Sequence, residues 1–380
     1  MKLLYITSLS GRRVNGFMRS AIIAAKNVGL DFVMACNTDD ADKDGYRKDC
    51  EKYGIRLEHI DFDRNPLSPK NKTAYSQLLD LMCREHFDII QCNTPIGGLL
   101  GRLCAKKCKL TNVIYMAHGF HFWNGAPLKN WILYYPVERV LAHYTDRLIT
   151  INKEDLKRAQ HFKLRKNGRL IFIHGVGVDI SKFSSTSVAD KRYELKIPEE
   201  AKIYISVGEM IERKNQTFMI EAFHDANLQN AHLIICGDGE LRGRIEDMVA
   251  SNKMKNVHVL GFRQDIPELL SVADVFVFPS FQEGLPGALM EAMASGKVCV
   301  ASKIRGNTDL LGEDYKYLFA PSNKAELIQK FREVHEDCSD YSTDMKNRVK
   351  PYGLDSVIKE FEALYSEFTI ADNTQASSSL

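Results

Sequence analysis

Residues 275–302 read VFVFPSFQEGLPGALMEAMASGKVCVAS. The apolar run Val275–Phe278 ends at Pro279, and a short loop follows. Pro286 suits the first turn of a helix, where its missing N–H would have had no partner. Gly296 stops that helix before the next apolar run, Val298–Ala301. A strand, loop, helix and strand in this order belong to a parallel sheet covered on both faces.

The same alternation runs outward in both directions. Apolar, β-rich runs occur at Leu3–Thr7, Phe32–Cys36, Ile89–Cys92, Asn112–Met116, Arg147–Ile151 and Leu170–Ile173, and again at Ile203–Val207, Leu233–Cys236 and Val257–Leu260. Helical patterns lie between them, as at Arg19–Val28, Thr73–His86 and Asn215–Ala226. Eleven strands are too many for one ordinary doubly wound sheet. The Gly- and Ser-rich stretch 175–187 (GVGVDISKFSSTS) divides the chain. The expected architecture is α/β, with two Rossmann-like parallel-sheet domains, 1–180 and 190–350, facing each other across a cleft. A helix in 351–369 is expected to pack back across both, and 370–380 to be a disordered tail. Ligands in such sheets bind beyond the carboxyl ends of the strands.

Composition narrows the function. The chain has 380 residues, 44% of them hydrophobic and 26% charged, as in ordinary globular proteins. With 51 basic and 49 acidic residues the net charge is +2, which argues against a dedicated nucleic-acid binder. Nine cysteines at irregular spacing, with no CxxC, suit reduced thiols in the cytoplasm. The N-terminal MKLLYITSLSG reads as a first strand, not a signal peptide. No apolar stretch approaches the length of about 18 residues that a membrane-spanning helix needs.

Glu283 and Glu291 stand eight positions apart, the first in the loop ahead of the helix and the second inside it. The amides near Leu285 and Gly287 mark the helix start, where an anion is favoured. A diphosphate there would leave two carboxylates free to accept hydrogen bonds from two sets of hydroxyls. Ordinary surface glutamates near a helix start would give the same spacing. The glycines and proline between them favour a ligand, because such a loop lets one approach the backbone closely.

E-G-L-P-G-A-L-M-E resembles the E-x7-E motif of retaining glycosyltransferases of family 4, which have the GT-B fold, and the likeness extends to about residue 365. It implies that Glu291 holds the ribose hydroxyls of a nucleotide-sugar, that Glu283 contacts the donor sugar, and that the amides between them meet the phosphates. The segments NTPIGGLLGRL, AHGFHFWNGAPLKNW and LITINKEDL resemble bacterial capsular and exopolysaccharide members. For those the resemblance implies a UDP-sugar donor, a polyprenyl-diphosphate-linked acceptor, and a place on the inner face of the cytoplasmic membrane.

Other constellations fit that reading. Arg213 and Lys214 follow a strand and suit a departing diphosphate, whose charge grows as the bond breaks. Family members carry Arg where Glu209 stands here, and Lys214 matches their Lys. Gly237, in CGDGEL, makes a tight turn, and Phe262 and Arg263, in GFRQD, are candidates for reading the base. Gly11 and Gly16 lie in a loop without a dinucleotide or P-loop fingerprint, and could let it close over acceptor or phosphates. His118, just past a strand, could hydrogen-bond a sugar hydroxyl or relay a proton, and the resemblance puts it near the donor sugar. His121 invites a zinc reading but lacks a third ligand, and Asp61-Phe62-Asp63 lies far from the nucleotide half, so neither a metal nor another cofactor is expected. The aromatics of 119–144, with Lys129 and Arg139, suit either a packed helix or a membrane-facing surface, to which Lys106, Lys107 and Lys109 would add attraction for anionic lipid. Two rival functions share the pattern: a Rossmann oxidoreductase, whose fingerprint is missing, and a non-catalytic binding module, which would not need Glu283, Glu291, Lys214 and His118 together.

Overall fold

A computed structural model of the chain describes residues 1–9, 11, 13–183 and 189–377. It divides into two compact units, Met1–Gly177 with the segment from Leu354 onward, and Val178–Gly353. In the N-terminal unit seven strands, β1 (Lys2–Leu9), β2 (Asp31–Asn37), β3 (Arg56–His59), β4 (Ile89–Asn93), β5 (Val113–Ala117), β6 (Arg147–Thr150) and β7 (Arg169–Phe172), form one sheet in the order β3-β2-β1-β4-β5-β6-β7. In the C-terminal unit β8 (Lys202–Val207), β9 (Ala231–Cys236), β10 (Val257–Gly261), β11 (Val275–Phe278), β12 (Val298–Ser302) and β13 (Leu318–Phe319) follow the order β10-β9-β8-β11-β12-β13. Every pairing in both sheets is parallel.

The inner strands are buried along their whole length: all five residues of β4 and of β5, and all four of β11. Helices cover both faces of such sheets, which is why these strands carry continuous apolar runs instead of alternating ones. Each sheet reverses its strand order once, between β1 and β4 and between β8 and β11. Loops leaving those strands diverge to opposite faces and open a crevice at their carboxyl ends. These two crevices decide where ligands can bind.

Three boundaries differ from expectation. Residues 178–180 belong to the C-terminal unit, because the Val178 amide donates to the Tyr352 carbonyl at 2.9 Å and Val178 bridges Gly353. The last helix, Leu354–Ser377, belongs to the N-terminal unit. There Tyr365 donates to Gln91 Oε1 at 2.6 Å, Glu360 holds His174 Nδ1 at 2.5 Å and Glu367 holds Arg147 at 2.8 Å. No glycine or proline interrupts IADNTQAS, so the helix continues past Thr369 to Ser377 where a disordered tail was expected; 378–380 lie outside the described residues, as do 184–187 of the expected linker.

Candidate functional site

The crevice of the C-terminal unit is built from the loops after β8 and β11. Gly237 and Gly239 let the first loop pass close to its neighbour. Both have positive φ, and a Cβ on Gly237 would stand 1.8 Å from the Gly208 carbonyl oxygen. The loop then makes one 3-10 turn, Glu212–Lys214, and Asn215 turns the chain into the helix Gln216–Ala226 through a φ of 57°. Asn215 Nδ2 donates to the Pro279 carbonyl at 3.3 Å.

Two loops meet here through backbone and charge. The Phe281 amide donates to the Arg213 carbonyl at 2.9 Å, and the Arg213 guanidinium returns a bond of 2.9 Å to the Gln282 carbonyl. Lys214 Nζ lies 2.8 Å from Glu283 Oε1, and Arg213 Nη1 lies 3.1 Å from the same oxygen. Only 14% of the Lys214 side chain is exposed, against 39% of Arg213, so water screens the arginine pair more and Lys214 is the firmer partner. Glu283 itself is 8% exposed. Residues the sequence reading missed support it from below. Arg305 Nε donates to the Glu283 carbonyl at 3.1 Å, and a Cβ on Gly306 would come within 2.6 Å of the Gly284 carbonyl oxygen. Neither belongs to a motif with a spacing that could have been searched. Glu209, where the resemblance expects arginine, is exposed, and Arg213 brings a guanidinium to the Glu283 carboxylate.

Beyond Pro286 the helix Gly287–Ala294 begins, and the amides of Leu285 and Gly287 find no acceptor among the described residues. Gly287 has nothing within 4 Å of a Cβ position, so its start is open. The Glu291 carboxyl has no hydrogen-bond or salt-bridge partner among the described residues. Burial pushes its carboxyl up to about 7, and the Lys182 charge offsets part of that. Of the candidates after β10, Phe262 is 71% exposed. Arg263 is tied to Asp265 at 2.5 Å and to Glu194 at 2.9 Å, carboxylates that raise it further, so its guanidinium is already committed.

The crevice of the N-terminal unit has a different chemistry. A cavity of about 490 Å³ is lined by Thr7, Ser8, Gly11, Arg64, Thr94 and Tyr134 among others, and a second of about 210 Å³ by His118 and Glu138 among others. Gly11 has a φ of +69°; Gly16 has no neighbour that a side chain would meet, and it opens the helix Gly16–Asn27 that Asn15 caps. His118 lies under the Phe17 ring, 3.9 Å between centroids, and burial lowers its imidazole to about 3. It is therefore neutral. His121 packs on Tyr134, and no group of three or more metal-ligating side chains occurs among the described residues. Asp61 accepts from Gln77 at 2.7 Å and Asp63 from the Asn65 amide at 2.9 Å, so this D-x-D serves local structure.

The aromatic segment divides its residues. Phe120 and Phe122 are buried and stacked, and Trp131, Tyr134 and Tyr135 pack on the same core. The exposed apolar side chains of the helix Leu128–Ala142 are aliphatic: Leu128, Ile132, Leu133, Val137 and Val140. Opposite them, Glu138 accepts from the buried Arg102 at 2.8 Å and from Tyr115 at 3.1 Å, which fixes the face that the helix turns inward.

The sequence matches the family described as "Glycosyl transferases group 1" over residues 187–353 and "Glycosyl transferase 4-like" over residues 2–152. The chain is 32% identical to the putative glycosyltransferase EpsD of Bacillus subtilis, over 86% of this chain and 87% of that one. It is 30% identical to a UDP-Gal:α-D-GlcNAc-diphosphoundecaprenol α-1,3-galactosyltransferase of Escherichia coli, over 66% and 67% of the two. Among solved structures, Anabaena HepE in complex with UDP superposes with a TM-score of 0.76 at 18% identity, covering 97% of this chain and all of that one. The two parallel α/β units and these relatives place the chain among the family 4-like glycosyltransferases of the GT-B fold.

Proposed function

We propose that the enzyme moves a hexose-type sugar from a UDP-sugar to a polyprenyl-diphosphate-linked glycan, with retention of anomeric configuration, in the synthesis of a surface polysaccharide. The observation that carries this is the meeting of Glu283 with Lys214 and Arg213 beside an open helix start. A diphosphate between those cations and the amides of Leu285 and Gly287 gains charge as the sugar leaves, and fixed donors at that point lower the barrier. Glu283, on the side of the cluster toward the loop, accepts hydroxyls of the sugar. Glu291 accepts those of the ribose, and the backbone at Phe262 and Arg263 meets the base. His118 contributes a neutral imidazole to a sugar hydroxyl. Relatives named for UDP-galactose and for diphosphoundecaprenol-linked acceptors support the donor and acceptor classes. With two side-chain cations for the leaving group, turnover needs no divalent metal. Docking of the aliphatic face of Leu128–Ala142 on the inner face of the cytoplasmic membrane, with Lys129 and Arg139 beside it, would bring the enzyme to its lipid-linked acceptor.

Glu283→Gln is expected to lower kcat by about 100-fold, the scale for losing one group that acts in the transition state. Calorimetry should find UDP binding unchanged or tighter, since the cations lose their internal counter-ion; equal loss of binding and turnover would reduce Glu283 to a structural role. Turnover in EDTA should match turnover in buffer, and a loss restored by manganese would refute the metal-free mechanism.

The Glu291 carboxyl gives a pH test. Its folded-state pKa lies above its ordinary value of 4.5, so the folded chain keeps a proton that the unfolded chain loses. Stability contributed by this group falls as pH rises from about 4.5 to about 7 and is level beyond. The ionised carboxylate is the better acceptor for ribose hydroxyls. UDP should therefore raise Tm more at pH 8 than at pH 6, and Glu291→Gln should remove most of that difference. A difference that survives the substitution belongs to another group. For the membrane face, anionic vesicles should sediment the wild type, and Ile132→Glu with Leu133→Glu should release it. Failure of the wild type to bind would sink the docking surface.

A further inference from the structure

The carboxyl end of β4 determines how His118 presents itself. Asn93 is fully buried, and its Nδ2 donates to the Ile6 carbonyl of β1 at 3.2 Å. With the amide nitrogen engaged there, Oδ1 is the atom that faces His118 Nε2, at 3.4 Å. A carbonyl oxygen only accepts, so Nε2 carries the ring proton and Nδ1 keeps its lone pair. Nδ1 is buried and has no hydrogen-bond partner among the described residues. An acceptor in that state is costly unless a ligand completes it.

The backbone beside Asn93 is held in place. Thr94 adopts φ 61° and ψ 158°, a region in which essentially only glycine is comfortable. It stays there because its Oγ1 accepts from the Ser8 amide at 3.0 Å and meets Ser8 Oγ at 2.6 Å. The Phe17 ring covers one face of the imidazole. His118 lines the smaller cavity, which shares Thr94, Pro95, His121 and Tyr134 with the larger one. Burial keeps the ring from taking a second proton.

We propose that Asn93 is a positioning residue that locks His118 in its Nε2–H tautomer and thereby makes Nδ1 a standing acceptor for a hydroxyl of the transferred sugar. The sugar's part in this rests on the function proposed above, whereas the tautomer does not. The ring then acts by accepting one hydrogen bond, with no proton transferred. A ligand presenting an acceptor at that point, such as a sugar with the hydroxyl replaced by fluorine, meets a lone pair it cannot satisfy.

Nitrogen-15 NMR of the full-length chain labelled at histidine, with His118 assigned by the signals lost in His118→Gln, reads the tautomer without any activity. The expected result is a protonated Nε2 and an unprotonated Nδ1 between pH 5.5 and 8; a protonated Nδ1 overturns the proposal. Kinetics supply the second arm. Asn93→Ala should lower kcat about tenfold, the scale of one hydrogen bond in the transition state, with a change in donor KM below about threefold. In a His118→Ala background the same substitution should have no further effect, because Asn93 acts through that ring. Additive losses would mean a general structural role and would also overturn it. A wild type that turns over no nucleotide-sugar would refute the proposed function, and the NMR result would still decide the tautomer.

Discussion

One carboxylate holds the C-terminal crevice together. Glu283 is nearly buried, and its carboxylate has two cations within 3.1 Å among the described residues, both from a loop about 70 positions earlier in the chain. Without it, Arg213 and Lys214 would stand side by side next to the positive end of a helix. Breaking the less exposed of the two pairs, Glu283 with Lys214, leaves a charge with little access to water and no partner, which is destabilising. The surrounding bonds carry backbone to the same point: Phe281 to Arg213, Asn215 to Pro279, and Arg305 to Glu283 itself. Charge, backbone direction and the open helix start therefore converge because a single side chain balances them. In the reading proposed here a diphosphate joins that balance, and Glu283 becomes free to engage a sugar.

The two order reversals share a topology but differ in chemistry. In the C-terminal unit the carboxyl ends of β8 and β11 present ions and amides that have no acceptor among the described residues, a setting for an anion. In the N-terminal unit the ends of β1, β4 and β5 present hydroxyls, rings and a neutral imidazole, with Arg64 at the cavity wall. One crevice is suited to charge that develops during a reaction, the other to orienting neutral hydroxyls. That division follows from which side chains the loops deliver, not from the fold, which both units share.

Much of this was legible in the sequence, and the exceptions have physical causes. Eleven strands were visible as apolar runs, unbroken where the strand is buried on both faces, as in β4, β5 and β11. β3 (RLEH) is an edge strand with half-exposed, charged side chains, and β13 has two residues; neither makes a pattern. The E-x7-E spacing marked the donor side, but the bond from Glu283 to Lys214 spans two loops, and only the sheet order brings them together. Arg305 and Gly306 were silent because the contacts by which they support the Glu283 loop are to backbone, which no motif records. In 119–144 the aromatic count suited a packed helix and a membrane-facing surface alike; the rings pack inward and the exposed face is aliphatic, since composition does not say which side of a helix is covered. His118 was found by its place after a strand, whereas the state of its ring depends on Asn93, 25 positions away.

Hydrogen exchange of the full-length enzyme with and without UDP tests the central claim most directly, since it locates the bound nucleotide on the chain. Protection is expected in 208–215 and 279–294, the two loops joined by Glu283 and the helix that begins between its carboxylates. Protection confined to 7–17 and 94–96, or no protection in either region at saturating UDP, would contradict the account.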